Sequence, residues 1–135
     1  MTTLAVRTRE RTDFIEITRA LQEVVDSEEI ENGLCHVFVL HTTAGITVNE
    51  HADPSVMEDM KEYIERLVPQ QPYFRHAEGN STAHIKASLT GNSVTIPIEK
   101  GRLVLGTWQG VFFCEFDGPR QRQAMVTVMS TGLSG

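Results

Sequence analysis

Alternating apolar and polar residues predict that much of this chain folds into β-strands. Strands are predicted at residues 4–9, 13–17, 34–41, 45–49, 93–98, 102–105, 111–116 and 123–130. In segment 34–41, a repeat of two places Cys35, Val37 and Val39 on one face, with His41 at the end of the same row. This segment is therefore expected to be a buried strand that carries an imidazole to the edge of a pocket.

Three segments have features of helices instead. Thr18 is a candidate N-cap before an apolar stripe at helical spacing. Asp53 precedes a proline at the first helical position, which makes this helix the clearest of the three. Thr82 is the candidate N-cap of a short helix over residues 83–89. Because the strands outnumber the helices and largely follow one another, residues 1–135 are predicted to form one antiparallel α+β domain with two or three helices.

The composition narrows the classes of partner. The chain has 135 residues and a formal net charge of −6, so it lacks the basic footprint that nucleic-acid binding requires. A few local cations would still allow an anionic small molecule to bind. No apolar stretch is long enough to cross a bilayer and no signal peptide is recognisable, so we expect no membrane partner and a cytoplasmic location. Cys35 and Cys114 lie in apolar runs and are expected to be reduced, buried thiols rather than a disulfide or a catalytic thiol.

Four of the five histidines fall in two polar segments, residues 41–53 and 75–84. Ligand-type side chains on loops that a scaffold holds are the usual way for a fold to present a site. In the first segment, His41 is either a site residue or a core histidine satisfied by a backbone carbonyl. Glu50 is a candidate metal ligand or general base, and Asn49 adjoins it.

The second segment contains His76, Glu78, Asn80 and His84. The eight-residue interval between its histidines matches no standard zinc motif, so the spacing alone is weak evidence for a metal. With Thr82 as its N-cap, the short helix would place its N-terminal amides near Asn80, a geometry suited to phosphate. Lys86 is either a further anchor for the same anion or a solvated side chain.

Two later motifs add candidates. Trp108 and Gln109 lie between glycines, where packing of the aromatic ring on the core is favoured over a stacking platform for a heteroaromatic ring. Arg120 follows an Asp-Gly-Pro turn and would either bind phosphate bidentately or form an ion pair with Glu115 or Asp117.

Taken together, these motifs resemble the YjbQ family, which carries the label secondary thiamine-phosphate synthase. The resemblance covers essentially the whole chain and rests on His41-Thr-Thr-Ala-Gly, Asn49-Glu50, His76-x-Glu78-Gly-Asn80-x-x-Ala-His84, Gly106-Thr-Trp-Gln and Glu115-Phe-Asp-Gly-Pro-Arg120.

The resemblance implies an α+β fold whose strands form a sandwich, assembled as a homotrimer about a threefold axis. It implies bound metal or anions near the histidine motifs, with a divalent cation, Mg or Zn, as the expected cofactor. The implied activity joins a pyrimidine diphosphate to a thiazole phosphate and releases pyrophosphate. The same residues would also suit a metal-dependent phosphohydrolase, or a trimer that binds a metabolite or metal without turnover.

The candidate residues divide by expected role. The catalytic candidates are His41, Glu50, His76 and His84. The metal-ligand candidates are His41, His76, His84, Glu50 and Glu78. The candidates for binding a phosphorylated small-molecule substrate are Asn49, Asn80, Lys86, Trp108, Gln109 and Arg120.

Overall fold

The computed structural model describes residues 1–132, which form two antiparallel β-sheets and three helices. The strands are β1 (Thr2–Arg7), β2 (Asp13–Glu16), β3 (Gly33–Val39), β4 (Ala44–Glu50), β5 (Ser93–Glu99), β6 (Arg102–Leu103), β7 (Gln109–Glu115) and β8 (Gln121–Ser130). The larger sheet has the order β1-β8-β3-β5-β6 and the smaller one β2-β7-β4. The predicted α+β class with antiparallel sheets is thus confirmed.

The main hydrophobic core lies between the two sheets. Val37 and Val126 face inward from the larger sheet, and Ile46 and Phe113 face them from the smaller sheet. Helix α1 (Thr18–Glu28) contributes its buried Leu21 to the same core. The side-chain period of two that places Val37 inside also buries Cys35 and Val39, as the alternation predicted.

A second, smaller core lies on the other face of the three-stranded sheet. Ala83 and Ala87 of helix α3 (Ser81–Thr90) pack there with Cys114 and Phe116. Helix α2 (Pro54–Leu67) reaches this core only through the partly buried Ile64. The packing of α3 against β4 fixes the helix that carries His84 on the scaffold.

The helix starts test the three capping predictions. Asp53 is the N-cap of α2, where its carboxylate accepts a hydrogen bond of 3.0 Å from the Ser55 N–H, so this prediction is confirmed. Thr18 and Thr82 are not N-caps, because α1 starts after Ile17 and α3 after Asn80. The Thr18 hydroxyl instead accepts from the Val111 N–H at 2.8 Å and ties α1 to the smaller sheet.

The cysteines and the helix lengths bear on two further expectations. Cys35 and Cys114 are free thiols, and burial raises the pKa of Cys35 to about 11 and that of Cys114 to about 12. Neither sulfur is therefore a thiolate at neutral pH. No helix within residues 1–132 is long and apolar enough to cross a membrane.

Candidate functional site

Three separate segments meet at one cleft, which we call the histidine cleft. His41 follows the end of β3, His76 lies in the loop between α2 and α3, and His84 is on the second turn of α3. The cleft has a volume of about 420 Å³. It is lined by Leu40, His41, Thr42, Thr43, His76, Glu78, Asn80, His84, Arg120 and Arg122. An adjoining recess of about 490 Å³ shares His41 and His84 and extends along α3 to Ser88.

His76 and His84 are in direct contact across the cleft. Their ring centroids are 5.1 Å apart and the rings are nearly perpendicular, at 86°. The loop that brings them together turns tightly, with the Gly79 N–H bonded to the His76 carbonyl at 3.0 Å. Gly79 has φ +73°, a backbone conformation that favours glycine, so the glycine between Glu78 and Asn80 makes the turn possible.

His41 occupies the cleft as a neutral imidazole. Its Nε2 accepts a hydrogen bond of 2.8 Å from the Gln123 N–H, so the proton of the neutral ring is on Nδ1. Burial lowers the pKa of His41 below its usual value, and the nearby Arg122 guanidinium lowers it further, whereas Glu115 partly offsets this. His41 is therefore better suited to donate from Nδ1 than to act as a base or metal ligand through Nε2.

A buried ion pair supports the cleft from beneath. The Arg122 guanidinium binds the Glu115 carboxylate through two nitrogens, and its Nη2 also donates to the Thr43 hydroxyl at 2.7 Å. The Thr8 hydroxyl donates to Glu115 at 2.7 Å. Burial raises the pKa of Glu115, but the bonds from Arg122, Thr8 and the Asp117 N–H lower it by more, so the carboxylate remains ionised. The loop that follows His41 is thereby fixed to β7 and β8.

A second network positions the start of α3. Asn80 Nδ2 donates to Asp117 Oδ2 at 2.8 Å, and Arg120 donates to the same oxygen at 2.9 Å. Burial raises the pKa of Asp117, but the bonds from Asn80 and Arg120 outweigh this and lower it. The predicted ion-pair alternative for Arg120 is thus present, with Asp117 as the partner, while the arginine still lines the cleft.

One atom in this network lacks a partner within residues 1–132. Asn80 Oδ1 is buried and makes no hydrogen bond, and the bond from Nδ2 to Asp117 fixes the orientation of the amide. A buried acceptor without a donor is costly, which makes it a candidate contact for a bound ligand or cation.

The histidine cleft does not provide a full set of metal ligands within one chain. Among residues 1–132, no three His, Cys, Asp or Glu side chains are arranged to hold a metal ion. His76, His84 and Glu78 line the cleft, but Glu50, the other carboxylate expected in the set, is elsewhere. The residues of one chain therefore do not fit a divalent cation.

Glu50 lies at the opposite end of the three-stranded sheet, which we call the far end. It pairs with Gln109 in the register of β4 and β7, whereas Ala44, beside the cleft, pairs with Glu115. The six residue steps from Ala44 to Glu50 span about 20 Å at the rise of a β-strand. The far end also carries Asn49 and Trp108, so these site candidates are not brought to the histidine cleft of the same chain.

The side chains of the far end differ in availability. Trp108 is 63% exposed, so the favoured prediction that it packs on the core is wrong. Gln109 Oε1 accepts from the Gly106 N–H at 2.8 Å and closes a turn, and Asn49 Oδ1 accepts from the Glu50 N–H at 2.7 Å. Trp108 is therefore the side chain best placed there for a partner or ligand.

Sequence reasoning missed a carboxylate–imidazole pair at the far end. His51 Nδ1 bonds to Glu16 Oε2 at 2.8 Å, and this bond is the main cause that raises the pKa of His51. Gly110 permits the contact, since a Cβ there would lie 2.5 Å from the Glu16 oxygen. The pairing of β7 with both β2 and β4 creates the arrangement, and no local pattern encodes it.

Lys86 is on another side of α3 from His84. Because Lys86 follows His84 by two residues, their side chains are about 200° apart around the helix. Lys86 is not among the residues that line the cleft. It is 4% exposed, and burial lowers its pKa, although Glu65 partly offsets this. Neither predicted role, as an anchor at the cleft or as a solvated lysine, fits this position.

Comparisons with known proteins place the chain among a set of close relatives. The family described as UPF0047 protein YjbQ-like matches residues 2–131. A UPF0047 protein of Methanocaldococcus jannaschii is 46% identical over 124 residues, which cover 92% of this chain and 90% of the relative. The UPF0047 protein YugU of Bacillus subtilis is 44% identical over 128 residues, which cover 94% of this chain and 97% of YugU.

Solved structures give the same result. A YjbQ/UPF0047 family protein from Clostridium acetobutylicum has a TM-score of 0.92 and 46% identity, covering 96% of this chain and all (100%) of that one. A protein of unknown function from Sulfolobus solfataricus, described as YbjQ-like, has a TM-score of 0.90 and 33% identity, covering 96% of this chain and 95% of that one. The chain therefore belongs to the UPF0047, YjbQ-like protein family.

Proposed function

We propose that the histidine cleft binds a phosphorylated small molecule and transfers a group from it, in a reaction of the thiamine-phosphate synthase type. The observation that carries this proposal is the meeting of His41, His76, His84 and Arg120 at one cleft of about 420 Å³. Three imidazoles and a guanidinium at one mouth give an acidic chain a local site for an anion.

The donors of the cleft suit phosphate oxygens. His41 is held with Nδ1–H as its donor, and Arg120 has its Nε and one Nη engaged by Asp117, which leaves the other Nη to donate. Helix α3 starts at the cleft, and the Asn80 side chain does not cap it, so the first amides of α3 can contribute further donors.

Displacement of pyrophosphate from a pyrimidinylmethyl carbon needs these donors more than it needs a protein nucleophile. The bond from that carbon to the diphosphate oxygen breaks, and the thiazole nitrogen supplies the electron pair for the new bond. Negative charge accumulates on the departing pyrophosphate, where fixed donors lower the barrier. His41 is neutral and carries its proton on Nδ1, so it would donate a hydrogen bond to the departing oxygen without first having to gain a proton.

The experiment measures thiamine phosphate and pyrophosphate after incubation with both substrates and Mg²⁺. We expect pyrophosphate release that depends on the thiazole phosphate, and its loss in His84→Ala. Glu23→Ala, an exposed α1 position away from the cleft, is the matched control and should retain the activity. Failure of the wild-type protein to form thiamine phosphate would contradict the proposed reaction.

Two alternatives predict different results in the same assay. A metal-dependent phosphohydrolase would release phosphate or pyrophosphate without the acceptor. A trimer that binds a metabolite or metal without turnover would retain ligand through dialysis and release no product. Complementation of a strain that lacks its main thiamine-phosphate synthase, with His84→Ala as control, tests the synthase activity in cells.

A further inference from the structure

We infer that the histidine cleft is half of a site, and that the far end of a second copy of this chain completes it. The inference deepens the proposed function and rests on it for the identity of the ligand, but the contact between copies can be tested without any ligand.

The cleft has unmet contacts of its own. His76 and His84 are in contact with each other, yet no third His, Cys, Asp or Glu within residues 1–132 joins them as a metal ligand. Asn80 Oδ1, an acceptor in a side chain that is 7% exposed, has no donor among the described residues. Separately, the residues that line the cleft include three imidazoles and two guanidinium groups but a single carboxylate, that of Glu78.

The far end has the complementary composition. It presents the carboxylates of Glu16, Glu50 and Asp53 close together on β2, β4 and the turn before α2. Glu16 already orients His51, so the Nε2 of that imidazole is directed away from the Glu16 contact. These carboxylates are opposite in sign to the Arg120 and Arg122 guanidinium groups that line the histidine cleft.

Each end also exposes an apolar side chain beside its polar groups. Leu40 is 43% exposed on the wall of the histidine cleft, and Trp108 is 63% exposed at the far end. Large aromatic side chains that are exposed in a monomer are typical anchors of protein interfaces. A contact between unlike ends is head-to-tail, and such contacts close into a ring when the rotation between copies allows it.

The separation within one chain excludes an internal route to the same site. About 20 Å of β4 lies between the cleft and Glu50, and the strand is hydrogen-bonded to β7 along that whole length. No loop movement can bring Glu50 to His84 while this pairing persists. Only another copy can place a Glu50 carboxylate beside His76 and His84.

Cross-linking between two single-cysteine variants tests the contact directly. The Leu40→Cys and Trp108→Cys proteins are refolded together. The mixture is treated with a short bismaleimide, whose reach is about the distance between two neighbouring β-strands. The native Cys35 and Cys114 are each 0% exposed, so background reaction is low. We expect a covalent dimer in the mixture and little in either variant alone. Glu23→Cys mixed with Leu40→Cys is the control and should give no dimer.

The absence of a covalent dimer from the Leu40→Cys and Trp108→Cys mixture would overturn the inference. A dimer that forms equally well in either variant alone would also overturn it, because that result indicates a contact between like ends. A monomeric mass by light scattering at micromolar concentration would have the same consequence.

Zinc uptake by equilibrium dialysis measures what the second copy contributes. His84→Ala and Glu50→Ala alone should each bind little zinc, whereas a randomly refolded equal mixture should recover about one quarter of the wild-type capacity, since a head-to-tail ring pairs the two intact halves at that frequency. Zinc binding by the wild type with no recovery in the mixture would overturn the role of Glu50. Cross-linking without zinc binding by the wild type would support the shared cleft and contradict only a zinc site formed by His84 of one copy and Glu50 of the next.

Discussion

The Gln123 N–H donates a hydrogen bond of 2.8 Å to Nε2 of His41, which makes a backbone amide of β8 the partner of an imidazole in the cleft. Protonation of His41 would place a proton on Nε2 and break this bond. It would also place a second positive charge near Arg122. Both effects favour the neutral ring.

We therefore expect His41 to titrate below the ordinary histidine range and His51 to titrate above it. His41 is partly buried near a cation, whereas His51 bonds to the Glu16 carboxylate. Nuclear magnetic resonance of the imidazole carbons as a function of pH measures both values. In Glu16→Gln the pKa of His51 should fall toward its usual value while that of His41 stays low. A His41 pKa above that of His51 would contradict the assigned bonds.

The lowered pKa of His41 makes stability depend on pH with a definite sign. The unfolded chain binds a proton at His41 near pH 6.5, and the folded chain does so only at lower pH, so this group reduces the free energy of unfolding as pH falls below about 6.5. The loss stops once the pH is below the folded pKa. Urea unfolding of wild type and His41→Gln at pH 8 and pH 5.5 measures it. The wild type should lose more stability than the variant; an equal or smaller loss would contradict the expectation.

Much of the fold follows from local pattern alone. The strict alternation around Val37 predicts a buried strand and its inward face, and Asp53 before Pro54 predicts the start of α2, because both signals act within a few residues. These local signals define the ends of helices and strands less well than their existence. Residues 102–105 were expected to form a strand, but β6 contains only Arg102 and Leu103, where the pairing with β5 ends.

Part of the histidine cleft can be predicted from closeness in sequence and not from alternation or capping signals. His76 and His84 lie on one short polar segment, and their closeness in sequence predicts the contact between their rings. Glu50 is close to His41 in sequence, which predicts that both belong to one site. In the structure β4 lies between them, and its rise of about 3.3 Å per residue separates Glu50 from the cleft. The Glu16–His51 pair depends on which strands become neighbours, which no local pattern specifies.

Gly118 provides a test of how tightly the turn after β7 is packed. A Cβ at this position would lie 2.3 Å from the Glu10 carbonyl oxygen and 2.8 Å from Glu115 Cγ. Gly118→Ala should therefore reduce the free energy of unfolding by about 1–3 kcal/mol, the usual cost of overpacking.

Gly106→Ala is the matched control for that substitution. Its Cβ would have the Gln109 side chain as its nearest neighbour, with the side-chain oxygen at 3.3 Å, and a flexible side chain can move. Urea unfolding of both variants compares the costs. Equal stability of the two variants would show that the Gly118 turn can relax, and would remove the steric argument for glycine there.

The buried pair of Arg122 and Glu115 should contribute far more to the integrity of the cleft than the neighbouring pair of Arg120 and Asp117. The Arg122 and Glu115 side chains are 5% and 0% exposed, so Glu115→Gln leaves a buried guanidinium without its counter-charge. We expect a loss of about 3–5 kcal/mol in the free energy of unfolding, the range observed when one partner of a buried pair is removed. Arg120 is half exposed, and Arg120→Lys should cost less than about 1 kcal/mol.

The two variants should also differ in their effect on ligand binding. Arg120→Lys retains the charge but loses the planar fork, so affinity for inorganic pyrophosphate should fall by roughly 1–3 kcal/mol, the scale of a charge-assisted hydrogen bond, while unfolding barely changes. Isothermal titration calorimetry and urea unfolding of the same samples separate the effects. If Arg120→Lys lowers stability clearly and leaves pyrophosphate affinity unchanged, the bond to Asp117 is its whole role, and the anion must be held by His41 and the start of α3 instead.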